Sequence, residues 1–211
     1  MKDTRTVFIM GDSYSTFAGY IPEGYHAYYA PSRNEAPVIP CVEKTWWHIL
    51  AAENDLDIVL NDSFSGSTVC NTVRENLWLS TSFVNRMDKY IAEGYFEENK
   101  IHTMLIFGGT NDSWIDVPIG VLTYSNWTAE ELKCVLPAFC YLVDRAKTVA
   151  ENVVAILNSD LKAEITDGFA KACDTLGVPY VRLTDVEKEN GHPTECGMRQ
   201  IAEQVAACLP E

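Results

Sequence analysis

The sequence predicts an α/β protein built on a parallel sheet that is covered on both faces. Short apolar runs alternate with stretches of helical spacing along the whole chain, the succession that produces strand–helix–strand units. The runs are also apolar without interruption, as in Met104-Leu105-Ile106-Phe107, which fits strands buried on both sides. The 211 residues, 47% hydrophobic and 22% charged, suit one domain over residues 1–211 with a core large enough to fold alone.

The elements follow in order. Thr6 to Met10 reads as a first strand, ended by Gly11-Asp12. A long segment, about residues 14–44, then precedes a helix from Glu43 to Asn54 that sets Trp46, Trp47 and Leu50 on one side. Asp57 to Asn61 is a second strand and Phe83 to Glu93 a helix. Thr103 to Phe107 is a third strand, stopped by Gly108-Gly109. Thr128, with Glu131 three residues on, forms a capping box for a helix reaching about Ala150. Val153 to Leu157 is a fourth strand, Ala163 to Thr175 a helix, Pro179 to Leu183 a fifth strand, and Thr194 to Cys208 the final helix. No repeat, low-complexity tract or linker interrupts the series.

Composition excludes several functions. A net charge of −14 repels phosphate backbones and anionic lipid heads, so neither nucleic acid nor a membrane surface is expected as partner. No apolar run approaches the roughly 18 residues of a membrane span. Val7-Phe8-Ile9-Met10, close behind the start, is too short for a signal-peptide core. The chain as given therefore reads as cytoplasmic, and as secreted or periplasmic if a leader was removed. Seven cysteines without a CxxC pair suggest neither a zinc site nor a disulfide framework; they read as small buried residues. No metal or organic cofactor is expected, and nothing in the sequence fixes the oligomeric state.

In parallel sheets, ligands sit beyond the carboxyl ends of the strands. Three of those ends carry polar clusters: Gly11-Asp12-Ser13, Asn61-Asp62-Ser63-Phe64-Ser65-Gly66 and Gly109-Thr110-Asn111-Asp112. A tight turn at Gly11 can aim the Ser13 hydroxyl and its N–H at the crevice, although Ser13 could equally cap the next helix. Gly66 can present an N–H that no side chain blocks, or be an ordinary turn glycine. Asn111 can offer an amide donor, or close an Asx turn. Of four histidines, His48 and His102 lie inside elements; His192, before Pro193 and the final helix, is the candidate base, with His26 its rival.

Taken together, Ser13, Gly66, Asn111 and His192 stand at successive strand ends in that order. In this the sequence resembles the SGNH hydrolases, the GDSL-like lipases and esterases. Gly11-Asp12-Ser13 resembles their first block, Gly66 their second, Gly109-Thr110-Asn111-Asp112 their G-x-N-D block, and Glu189-Asn190-Gly191-His192 their D-x-x-H block. The likeness spans residues 7 to 205. It implies a three-layer α/β/α flavodoxin-like fold with a central, mostly parallel five-stranded sheet. It also implies hydrolysis of esters or thioesters through an acyl-enzyme. Ser13 would be nucleophile and His192 base, with the Ser13 and Gly66 backbones and the Asn111 side chain as the oxyanion hole. Two positions depart from the family: Tyr14 replaces leucine or isoleucine, and Glu189 replaces the aspartate that orients the histidine. Glutamate serves that role in some hydrolytic triads; Asp185 and Glu187 are the other candidates.

About thirty residues separate Ser13 from the next helix, against a usual connection of about 4–6. They hold Phe17, Tyr20, Tyr25, Tyr28 and Tyr29. Tyr14, Tyr20 and, after the Asn111 block, Trp114 are the candidates for a substrate wall; the loop aromatics could instead pack on one another. An aromatic wall suits a sugar ring, so a small-molecule ester such as an acetylated carbohydrate is the expected substrate, with lysolipids and thioesters as alternatives. Two rival classes are an α/β-hydrolase with a G-x-S-x-G elbow and a non-catalytic carbohydrate-binding domain. Gly11-Asp12-Ser13-Tyr14-Ser15 lacks the second glycine of that elbow. Packing alone demands none of Ser13, Gly66, Asn111 and His192, which argues against the binding domain.

Overall fold

The computed structural model describes residues 5–72 and 81–210; residues 1–4, part of the start read above for a leader, lie outside that range. Five strands form the central sheet: β1 (Arg5–Gly11), β2 (Leu56–Ser63), β3 (Ile101–Gly108), β4 (Ala150–Leu157) and β5 (Tyr180–Arg182). Their order is β2-β1-β3-β4-β5, and every neighbouring pair is parallel. This is the flavodoxin-like order, whose direction of winding reverses between β1 and β3.

The expected burial on both faces is present, residue by residue. Val7 and Ile9 of β1, Leu105 and Phe107 of β3, and Val154 and Ile156 of β4 face one core, which α1 (Trp46–Asn54) and α7 (Glu195–Ala206) cover. Their neighbours Phe8 and Met10, Met104 and Ile106, and Val153 and Ala155 face the other. That side is covered by α2 (Phe83–Ala92), α5 (Val135–Val149) and α6 (Ala163–Leu176). Three smaller elements were not anticipated. These are α3 (Tyr95–Glu98), α4 (Thr110–Trp114), and an antiparallel hairpin of β6 (Lys188–Glu189) and β7 (His192–Pro193).

Two expectations need correction. The capping box at Thr128 forms, with the Glu131 carboxylate accepting from the Thr128 N–H at 2.8 Å. It opens only a single 3-10 turn, Glu131–Lys133, because Cys134 is extended and α5 begins afresh at Val135. Pro137 explains the break: inside a continuous helix its ring would strike the Lys133 carbonyl, whereas in a first turn its missing N–H costs nothing. Nor are the cysteines uniformly buried. Cys70, Cys140 and Cys173 are; Cys196 is exposed and Cys41, Cys134 and Cys208 are half-buried.

The carboxyl ends of β1 and β2 rest on a buried ion pair. Arg86, from α2, is 1% exposed and bonds the Asp62 carboxylate, itself fully buried. The same guanidinium donates to the Gly11 carbonyl at 3.0 Å and to Ser67 Oγ at 3.3 Å, while the Tyr90 hydroxyl donates to Asp62 at 3.0 Å. Removing one partner of such a pair strands the other charge away from water. Arg86→Ala is expected to destabilise the fold by about 3–5 kcal/mol, read as a lower midpoint in denaturant; an unchanged midpoint would show the pair to be dispensable.

Candidate active site

Each functional candidate is placed by a turn at a strand end. Beyond β1 the chain enters a 3-10 turn, Ser13–Ser15, whose cap is Asp12 rather than Ser13: the Asp12 carboxylate accepts the Tyr14 N–H at 3.1 Å. Glycine is required at position 11, since a Cβ there would lie 2.4 Å from Ser63 Oγ and 2.7 Å from Ser15. Asp12 is fully buried, and burial pushes its carboxyl up to about 7, opposed by the Tyr14 N–H and Thr110. Beyond β3, Gly109 takes φ +95°, where side chains are strained, and leads into α4 with Asn111 in its first turn.

Asn111 donates through Nδ2 to the Ser67 carbonyl at 2.9 Å. An amide carries two N–H bonds, so one stays available for a ligand. Asp112 fastens the same loop from the other side, accepting from the Val69 and Cys70 N–H groups at 2.9 and 3.2 Å. Gly66 lies in this loop at φ +88°. Among the described residues, neither the Ser13 nor the Gly66 N–H donates to another group.

His192 arrives from the far end of the chain. Asn190 and Gly191 both have positive φ, 50° and 77°, the signature of a type I′ turn, and they join β6 to β7 with Glu189 opposite His192. The hairpin is latched at three residues. The Tyr14 hydroxyl donates to the Gly191 carbonyl, the Tyr29 hydroxyl to the Pro193 carbonyl at 2.9 Å, and the Asn190 amide to the Ala36 carbonyl at 3.0 Å. So held, His192 Nε2 lies 3.0 Å from Ser13 Oγ. Ser13 is 3% exposed and His192 7%. His26, the rival base, is exposed on the long loop.

Among the described residues, the other ring nitrogen meets no carboxylate. Nδ1 faces the Asn190 carbonyl at 3.3 Å, which fixes Nδ1 as the protonated nitrogen and leaves Nε2 to accept from Ser13. Glu189 is exposed; Glu187 accepts from the Thr194 hydroxyl; Asp185 is exposed on a left-handed residue. The physical reason is the turn itself, which folds the Asn190 backbone under the ring and leaves the Glu189 side chain in solvent. Burial therefore lowers the imidazole's pKa to about 4. The Asn190 carbonyl opposes the shift and the positive charges of Arg33 and Lys188 add to it.

The expected wall residues separate. Trp114 is 50% exposed and stands edge-on to His192, ring centres 5.5 Å apart. Tyr14 is buried beneath His192, edge-on to Phe107, and is no open wall. Tyr20, although exposed, lies against Phe17 and Trp47 beside the outer edge of β2. The loop ring that does reach His192 is Tyr28, stacked on it at 3.5 Å and 7°. The sequence places Tyr28 in the aromatic loop but carries no signal for its target.

These features define a class: a three-layer α/β/α protein with a serine–histidine pair, and unclaimed N–H donors around it, at the reversal point of the sheet. The chain belongs to the GDSL-like lipase/acylhydrolase family, whose description matches residues 5–209. A protein described as a GDSL-like lipase from Bacteroides ovatus shares 36% identity over 98% of each chain, with a TM-score of 0.86. One from Bacteroides uniformis shares 37% identity over 97% of this chain and 94% of its own, with a TM-score of 0.88. Est24, a carbohydrate acetylesterase from Sinorhizobium meliloti, shares the fold at a TM-score of 0.62, with 15% identity and 97% of each chain covered. No protein of curated function matches the sequence.

Proposed function

We propose that this GDSL-like family member is a serine carboxylic ester hydrolase with Ser13 as nucleophile and His192 as general base, and that its substrate is a small acyl ester of a carbohydrate. The observation that carries the reading is the 3.0 Å bond between Ser13 Oγ and His192 Nε2. A hydroxyl aimed at an unprotonated imidazole nitrogen is the pairing a weak nucleophile needs. As Ser13 attacks the carbonyl carbon, its proton passes to His192 Nε2. Charge gathers on the carbonyl oxygen, where the Ser13 and Gly66 N–H groups and the free Asn111 N–H can meet it. The imidazolium returns the proton to the leaving alcohol; water then releases the acid with His192 again as base.

In this reading the third member of the relay is the Asn190 carbonyl, not Glu189. A carbonyl selects the tautomer as a carboxylate does but lends no full charge to the imidazolium. Ser13→Ala is expected to abolish hydrolysis of a short-chain aryl ester. Glu189→Gln, Asp185→Asn and Glu187→Gln should each retain near-full activity. A loss of orders of magnitude in Glu189→Gln would restore the carboxylate triad. With His192 near pKa 4, the base is neutral above that value and lost below it. The acidic limb of kcat/KM should thus fall near pH 4; a limb near pH 6.5, the ordinary histidine value, would contradict the assignment.

The carbohydrate part rests on Trp114, a half-exposed ring beside the histidine, and on the burial of Ser13, which favours a small acyl group. The fold shared with Est24 is consistent with it. Against a panel of acetylated sugars, lysolipids and acyl-thioesters, the acetylated sugars should be turned over fastest. Trp114→Ala should raise KM for them by about tenfold, as a lost aromatic contact does, while a small aryl acetate is unaffected. Preference for a lysolipid or thioester would replace the substrate and leave the chemistry standing.

A further inference from the structure

Among the described residues His192 has no carboxylate partner, so something else must hold its plane and set its readiness to take a proton. From the β1 end, the Tyr14 ring lies 5.3 Å away, its hydroxyl spent on the Gly191 carbonyl. From the long loop, Tyr29 stands edge-on at 6.4 Å, its hydroxyl spent on Pro193. From α4 comes Trp114, and from the hairpin Lys188, whose ammonium bonds Asn158, Ser159 and Asp160. Glu189 points into solvent. Among the described residues, the one group in face-to-face contact is Tyr28, 3.5 Å away and within 7° of parallel.

The opposite face of the same tyrosine is also occupied. Arg33 lies with its guanidinium carbon 4.0 Å from the Tyr28 ring centre. Among the described residues its only acidic partner, Glu35, is 3.9 Å away and almost fully exposed, and its buried Nε has no hydrogen-bond partner. Arg33, Tyr28 and His192 therefore form one column. We propose that Tyr28 is the positioning residue for His192, orienting the imidazole as a carboxylate does in a triad, and that Arg33 acts on His192 through the Tyr28 ring. The proposal rests on His192 being the base of the reaction described above.

The two residues act in opposite senses on the charged form. The face of a tyrosine attracts a cation, so it would favour an imidazolium stacked on it. Arg33 already occupies the other face of that ring and repels a second positive charge. The column thus keeps the His192 ring oriented, placed and neutral at rest, which agrees with the direction in which Arg33 moves its pKa. A rigid stack also fixes Nε2 against Ser13, and displacement of a reacting group by about 1 Å can cost about a hundredfold in rate.

The test combines pH–rate profiles on a short-chain aryl ester with proton NMR titration of the His192 ring in the whole protein. The titration needs no turnover. If the protein hydrolyses no ester, the functional reading fails while the action of Arg33 on His192 is still measured. Tyr28→Phe keeps the stack and is expected to retain kcat within about threefold; Tyr28→Ala is expected to lose about a hundredfold in kcat with KM little changed. Arg33→Gln, a substitution at a partly exposed side chain, is expected to move both the NMR midpoint and the acidic limb upward by roughly half to one pH unit. The buried Asp12 is common to both proteins and cancels in that comparison. An Arg33→Gln protein with an unmoved midpoint, or a Tyr28→Ala protein with wild-type kcat, would overturn the proposal. So would a Tyr28→Phe protein as impaired as Tyr28→Ala.

Discussion

The contact between Ser13 and His192 joins positions 179 residues apart, and no acid among the described residues helps to hold it. Everything around it serves that constraint. Ser13 is fixed by the end of β1, a central strand paired on both sides. His192 lies outside the main sheet, on a two-residue strand that could not hold a position by its own ladder. Its placement comes instead from two side chains and one carbonyl of the segment after β1: the Tyr14 and Tyr29 hydroxyls donate to the hairpin backbone, and the Ala36 carbonyl accepts from the Asn190 amide. The long segment after Ser13 is therefore less a lid than a bracket. It turns a mobile kind of element into a fixed one by supplying hydrogen bonds to backbone groups that would otherwise face water.

Absence of a carboxylate partner among the described residues has a chemical consequence. In a triad the acid steadies the imidazolium that forms as serine attacks. Here the neighbours of His192 are aromatic rings, a carbonyl and two cations, in a chain whose net charge is −14. On the proposed mechanism, such a site would keep the base free at acidic pH and make it a weaker acceptor, so more of the barrier would fall to the oxyanion donors. That assigns weight to the loop carrying Gly66. Arg86, Asn111 and Asp112 each hold that loop: Arg86 through Ser67 Oγ, Asn111 through the Ser67 carbonyl, Asp112 through the Val69 and Cys70 N–H groups.

What the sequence disclosed follows from which interactions are local. The strands and the cluster at each strand end were legible because burial on two faces leaves an unbroken apolar run, and glycine marks where it stops. The order Ser13, Gly66, Asn111, His192 is a property of those ends. The orienting group was not legible. Glu189 has the right separation from His192 along the chain, but separation does not say which way a hairpin turns, and the Asn190 carbonyl reaches the ring first. Tyr20 and Tyr28 look alike in an aromatic loop; which one meets the histidine depends on a loop path that no periodicity encodes. Arg86 was missed for another reason. It lies on the same side of α2 as Phe83 and Tyr90, and a charge at an apolar helical position was a signal to look for a buried partner.

The proposed chemistry depends on Ser13 being a nucleophile activated by a histidine that stays neutral in acid. Labelling by a serine-directed phosphonate, followed by peptide mass mapping and timed across pH, measures both at once without any assumption about the natural substrate. The added mass should fall on the peptide containing Ser13, vanish in His192→Ala, and form at a rate that holds from neutral pH down to about 4 before falling. Label on a different serine, or a rate already halved at pH 6.5, the ordinary value for histidine, would contradict it.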